Sequence, residues 1–418
     1  MSGNTDVAVS GVAKNALAAL IAHHGEGSIP AAARYDALAR FEELPVRSAI
    51  RGGRTWKHDL AKLDLSTIVS FETRPAADLD LETLSPAARA KGVTIERFSV
   101  ARERHRVSFE KAFGSAVDTR DDKFASLALA FTNHGVFIDI PAGVVIEEPL
   151  LVGYEARETA LFPYTLVALG AGSQVTVIER LAGVANAPLV CGIAEFVLAE
   201  RAHLTYSIDQ RLAPQTRAIL TRRAVLGEEA QLDISFAELG GKHIVSRFRS
   251  VEAGRGSRTG VVALFFSDGD QHIDIETETV HAAADTRSET IVRSAGTDRG
   301  QGRYLGNIKI LPDAHGADAS LRDDALLLSE KAHIDSVPAL EIAANDVKAF
   351  HGATVGAISE EEIFYAESRG IARADAERMI ALGFFEPAVS RFPRSDLRDE
   401  IRTALENKIA SKVVLHSV

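Results

Sequence analysis

One short pattern recurs through the middle of this 418-residue chain and limits what it can fold into. It reads LGAGSQVTV at Leu169–Val177, LAERAHLTY at Leu198–Tyr206, LGEEAQLDI at Leu226–Ile234 and LSEKAHIDS at Leu328–Ser336. Each copy has a leucine, three mostly small or polar residues, a small residue, a polar residue and then an apolar one. The copies start 29, 28 and 102 residues apart, and taking the last gap as about four shorter steps gives a period of 25–29 residues. A strand–turn–strand unit of that size cannot bury its apolar face alone, so successive units must stack into one continuous core. Residues 125–355 are short β-rich runs broken by Gly, Asp and Asn, which fit a β-solenoid or an ordinary sandwich. Recurrence of one turn sequence favours the solenoid, because sandwich strands need not repeat it.

Helical texture flanks that core. Val12 to Ile21 and Ala31 to Phe41 keep apolar positions at helical spacing, separated by Gly25-Glu26-Gly27-Ser28. The only tryptophan, Trp56, sits in a basic connection that reads as a surface linker with one anchoring aromatic. Between Leu79 and Phe113 helix and strand signals mix. Past Ser359 helix returns: Ala372 to Leu382 is expected to stop at Gly383 and Pro387, and Asp396 to Lys412 carries Ile401, Leu405 and Ile409 on one stripe. This tail is expected to cap the end of the solenoid. The chain thus divides into a helical region and linker (1–95), a β core (96–355) and a C-terminal helical domain (356–418).

Charge and motifs exclude several functions. A formal charge of −11 argues against nucleic acid or an anionic membrane as the main partner. The N-terminus lacks the basic and apolar regions of a secretory signal, and no apolar run reaches membrane-spanning length. A lone cysteine, Cys191, suits a reducing cytosol and sits in an apolar stretch as a core thiol. No GxxxxGK[ST], CxxC, HExxH or GxSxG occurs. An enzyme site would have to be assembled from distant residues.

The richest stretch runs from Pro338 to Ile371. Leu340, Ile342 and Ala344 alternate as in a half-buried strand. Gly352 and Gly356 in HGATVG are expected to allow tight turns, and Ser359 to Glu362 has capping-box spacing for a following helix. His351 lies at that junction as the strongest single candidate for ligation or proton transfer, although the residues alone favour a structural or surface histidine. Alternation puts Asp346, Lys348 and Phe350 opposite Val347, Ala349 and His351. Elsewhere, Arg287, Arg303 and Asn307 read as turn and surface polarity, His134 as part of a turn leading into a strand, and Glu360, Glu361 and Glu362 as helix-start charge.

DVKAFHGATVG followed by EEIFYAESRGI resembles the C-terminal signature of the SufB/SufD family of iron–sulfur cluster assembly scaffolds. DDKFASLALAFTNHGVFIDIPAGVVIEEPL (Asp121 to Leu150) and LRDDALLLSEKAHIDSVPALEI (Leu321 to Ile342) match further blocks, and length and cysteine usage point to the SufD branch. The resemblance implies a mainly β protein: a right-handed parallel β-helix with helical N-terminal and C-terminal regions. It implies a cytoplasmic, non-catalytic subunit that pairs with SufB through the β-helix, while the partner SufC hydrolyses ATP. On this basis His351 would be an iron ligand or proton carrier at the SufB contact, with Asp346, Lys348 and Phe350 beside it. Phe364, Tyr365, Arg369, Gly370 and Ile371 would dock SufC. No cofactor would be held tightly by the isolated chain; an iron–sulfur cluster would form transiently with SufB, and a flavin in the complex and a homodimer of the lone chain are left open. Some family members carry a cysteine two residues before the histidine, where this chain has Ala349, so a mechanism needing that thiol is in doubt here. Two other readings compete: a β-helix polysaccharide lyase or glycosidase, for which no carboxylate constellation is evident, and a purely structural homodimeric solenoid.

Overall fold

The computed structural model describes residues 6–24, 29–45, 84–120 and 122–413. The Gly25–Ser28 spacer and the Trp56 segment lie outside the described residues. The centre is a parallel β-solenoid of about eight coils, each contributing one strand to each of two sheets. One sheet holds β2 (His134–Ile140), β4 (Pro163–Leu169), β6 (Val190–Leu198), β8 (Arg217–Leu226), β10 (His243–Glu252), β12 (His272–His281), β14 (Gln301–Ile310) and β16 (His333–Ile342). The other holds β3 (Leu150–Ala156), β5 (Gln174–Gly183), β7 (His203–Arg211), β9 (Gln231–Glu238), β11 (Arg258–Ser267), β13 (Arg287–Gly296), β15 (Asp318–Leu327) and β17 (Lys348–Ala357). A short antiparallel strand, β1 (Thr94–Arg97), pairs with β2 and closes the first coil.

Alternation explains the core. Along each strand every second side chain points into the lumen, so residues of one parity stack coil upon coil. Leu169, Leu198 and Leu226 stack in register, and so do Tyr206, Ile234 and Val261 across β7, β9 and β11. The leucine that opens each of the first three repeats is the last residue of β4, β6 or β8. The fourth copy differs. Leu328 follows β15, at the turn back from the eight-stranded sheet, so it lies three and a half coils from Leu226 on the opposite corner and not four short steps along the same one. The corners admit little bulk: a Cβ at Gly254 would run into the backbone nitrogen of Glu228 in the coil below.

Both outer faces are covered by helices. α1 (Asp6–His24), α2 (Ala31–Glu43), α4 (Phe98–Arg104), α5 (Arg106–Ala112) and α6 (Lys123–Phe131) bury an aromatic-rich cluster against the nine-stranded sheet. A five-residue helix, α3 (Pro86–Ala90), packs at the first coil. The mixed signals near Phe113 resolve as a loop fastened by Glu195, which accepts from the amides of Gly114, Ala116 and Val117 and from the Tyr164 hydroxyl. At the other end of the chain follow α7 (Glu360–Ser368), α8 (Arg373–Val389) and α9 (Ser395–Val413).

Three expectations for this end need correcting. α8 does not stop at Gly383: it continues through Pro387, which removes one helical N–H bond, while Phe385, Ala388 and Val389 on either side are buried and hold the last turn in place. The C-terminal helices do not cap the solenoid either. They pack on the outer face of the eight-stranded sheet, where Val262, Leu264 and Phe266 of β11 are apolar outward and meet Phe385, Ile401 and Leu405. Finally, Gly352 and Gly356 make no turns; both lie inside β17 with negative φ, and Ser359 precedes α7 without a side-chain cap bond.

Candidate functional site

The last coil is where the candidate residues meet. β17 pairs only with β15, and β16 only with β14, so the C-terminal end of the solenoid presents two unpaired strand edges among the described residues. Unpaired edges and lumen side chains at an open end are groups that ordinarily seek a further strand. The surface there is apolar as well as unpaired: Phe350 is 53% exposed, Ile342 47% and Val355 43%.

His351 lies in mid-strand on β17 and not at the strand–helix junction. Val347 and Ala349 pack on the lumen core, so the alternation drawn from sequence holds, and His351 stacks over Leu321 of the coil below. It is half-buried, and its Nδ1 is enclosed without a hydrogen-bond partner among the described residues. Lys348 and Phe350 point outward. Gly352 leaves room for the Phe350 ring, which a Cβ there would meet at 3.1 Å. Asp346 precedes the strand; its carbonyl accepts from the Gly316 amide at 2.7 Å, and it shares a surface notch with Lys348, Asp285 and Arg287. Asp346, Lys348, Phe350 and His351 therefore occupy one short segment at the open end, three facing out and one facing in.

The second candidate group lies just beyond. Ile363 and Ala366 are buried and seat α7, leaving Phe364 and Tyr365 exposed at 72% and 62%. The Arg369 guanidinium lies 5.3 Å from the Tyr365 ring centroid, Gly370 adopts φ +84° to end the helix, and Ile371 is half-buried. Glu360 is engaged by Arg373, while Glu361 and Glu362 are exposed in the first turn.

Other readings change. Asn307 is buried, not surface polarity; its amide donates to Glu278 at 3.1 Å and to Glu341 at 3.3 Å, tying three coils together on the outer face. Arg303 is also buried, whereas Arg287 is exposed at a coil corner. His134 is buried as the first residue of β2. Cys191 is buried, and desolvation pushes its thiol far above the ordinary range.

Sequence reasoning missed the polar groups inside the lumen. Asp323 is fully buried; Ser336 donates to its Oδ2, its Oδ1 has no partner among the described residues, and burial pushes the carboxyl up to about 7. Its signal was available, since Ala319, Leu321, Asp323 and Ala325 share one parity in β15. The described residues contain no group of three His, Cys, Asp or Glu side chains able to hold a metal ion. No described helix is long and apolar enough to cross a membrane.

Residues 152–384 match the family described as SUF system FeS cluster assembly, SufBD core domain. Among curated proteins, an iron–sulfur cluster assembly SufBD family protein of Staphylococcus aureus strain MRSA252 is 27% identical over 307 residues, covering 72% of this chain. Proteins of the same description from Staphylococcus aureus strain USA300 and Staphylococcus epidermidis strain ATCC 12228 match to the same extent. The match spans 66% of the length of these relatives.

Proposed function

The chain belongs to the SufBD family of the SUF system for iron–sulfur cluster assembly, and from that membership we propose that it acts as the SufD-type scaffold subunit. The carrying observation is the open last coil, with apolar edges unpaired among the described residues and a half-buried histidine whose Nδ1 has no partner among them. A SufB-type partner continues the sheets at that end. A SufC-type ATPase docks on Phe364, Tyr365, Arg369, Gly370 and Ile371, and its ATP cycle shifts the subunit contact between arrangements that it binds unequally. The cluster is cargo, built between subunits. One imidazole cannot hold it, so thiolates or carboxylates come from the partner. The branch assignment rests on the thiols: a sulfur acceptor needs an accessible thiolate, and the single buried Cys191 cannot supply one. The chain is then a cytoplasmic, non-catalytic subunit that retains no cofactor when alone.

The test uses co-expressed complexes with SufB and SufC in which His351 is intact or replaced, His351→Ala. Iron and acid-labile sulfide per complex should both fall while subunit stoichiometry stays the same. Full cluster content in the variant would remove His351 from the assembly site and leave the chain a scaffold that only positions its partners.

A further inference from the structure

The lumen beneath His351 contains a second residue that bears on its chemistry. β15 and β17 run in register, with Leu321 opposite His351 and Asp323 opposite Ala353. Leu321 and Ala319 belong to the lumen core, so Asp323, of the same parity, faces the same interior as His351. The two are diagonal neighbours on adjacent strands, a relation that puts Cα atoms roughly 7–8 Å apart. Among the described residues, one side chain has an enclosed Nδ1 without a partner and the other an enclosed Oδ1 without a partner. Orphaned buried polar atoms are costly, and an internal water with two to four polar contacts is the usual remedy. The remaining Asp323 oxygen is held by Ser336 from β16, which fixes the carboxylate from the opposite sheet.

We infer that Asp323 is the positioning residue for His351, joined to its Nδ1 through one internal water, so that the ring holds its proton on Nδ1 and keeps the Nε2 lone pair free for iron or a proton. A ligating histidine commonly donates its other ring N–H to a carboxylate or water, which sets its tautomer and raises its basicity. The coupling is a property of the isolated chain. Its importance for cluster assembly rests on the role proposed above for His351.

The experiment reads the tautomer directly in the isolated chain, without iron or partners. Protein labelled with ¹⁵N-histidine is examined by long-range ¹H–¹⁵N correlation at pH 8, with the His351 signals assigned from their loss in His351→Gln. The Nδ1–H form should dominate in the wild type. In Asp323→Asn, which preserves shape, the ratio of Nδ1–H to Nε2–H should fall about five-fold, the worth of one ordinary hydrogen bond. Ser336→Ala perturbs the same pocket but keeps the carboxylate, and should leave the ratio on the wild-type side. An unchanged ratio in a cooperatively melting Asp323→Asn chain overturns the inference. So does a dominant Nε2–H form in the wild type, which decides the matter even if the variant fails to fold. Neither result touches the scaffold reading, and full cluster loading in His351→Ala complexes would not disturb the tautomer result.

Discussion

Glu252 shows how one substitution inside the lumen becomes a pH dependence. It occupies the column that Leu169, Leu198 and Leu226 fill in earlier coils, and His281 follows it in the next. Its Oε1 accepts from Ser250 at 2.7 Å and Thr259 at 2.6 Å, while burial pushes the carboxyl up to about 7. The folded chain therefore holds a proton that the unfolded chain, with an ordinary value of 4.5, has released. Stability from this group is complete below 4.5 and is lost as pH rises to about 7. His281 runs the other way: burial lowers it to about 4, so its contribution is complete above the ordinary 6.5 and is lost as pH falls towards 4. Glu252→Gln keeps the shape and removes only the first titration. Urea unfolding should find the variant near wild-type stability at pH 4.5 and more stable by up to about 3 kcal/mol at pH 8. A wild-type-to-variant difference that stays constant across that range would contradict the assignment.

At the scale of elements, the C-terminal helices behave as a separate layer laid on the finished solenoid. Ile401 of α9 is fully buried among Phe266, Phe385 and Leu405, with Lys408 of the same helix bonded to the Leu239 carbonyl and Asp268. Truncating it, Ile401→Ala, should cost about 2–5 kcal/mol within that layer. Hydrogen exchange should then show α8 and α9 losing protection together while β9 and β11 keep theirs; simultaneous loss in the strands would mean one cooperative unit instead. Elements of this kind were legible where a single rule dominated. The Ile401, Leu405 and Ile409 stripe announced α9, and the leucine column announced the first coils. The later coils were hidden because Glu252 and His281 replace the leucines, and buried hydroxyls compensate for them in ways no local pattern shows. Pro387 misled for a related reason: its local propensity is overridden by the burial of its neighbours. Asp323 was missed because its role depends on which strand stacks against it.

For the molecule as a whole, the asymmetry between its two ends is the main functional statement. At the first coil β1 pairs with β2 and α3 packs beside it, leaving only β3 of that coil's two strands with one strand neighbour, whereas among the described residues both β16 and β17 have an unpaired edge. The sequence revealed the signature residues near this end but not their arrangement, because a helical tail was expected to cover it and instead lies along the sheet face. If the open end is the subunit contact proposed above, Phe350 is its natural anchor: aromatic, half-exposed and pointing away from the lumen. A buried aromatic at the centre of an interface typically carries about 2 kcal/mol or more, so Phe350→Asp should weaken binding to a SufB–SufC complex by at least about thirtyfold in calorimetry. Its melting temperature should be unchanged, since the side chain packs against little of its own chain. Val107→Asp is the matched control, because Val107 is 85% exposed on α5, a helix set against the nine-stranded sheet. Loss confined to Phe350→Asp would assign the partner to the open coil. Equal loss in both would point to a general charge effect, and no loss in either would move the contact off the last strands, leaving the exposed edge without the partner its chemistry calls for.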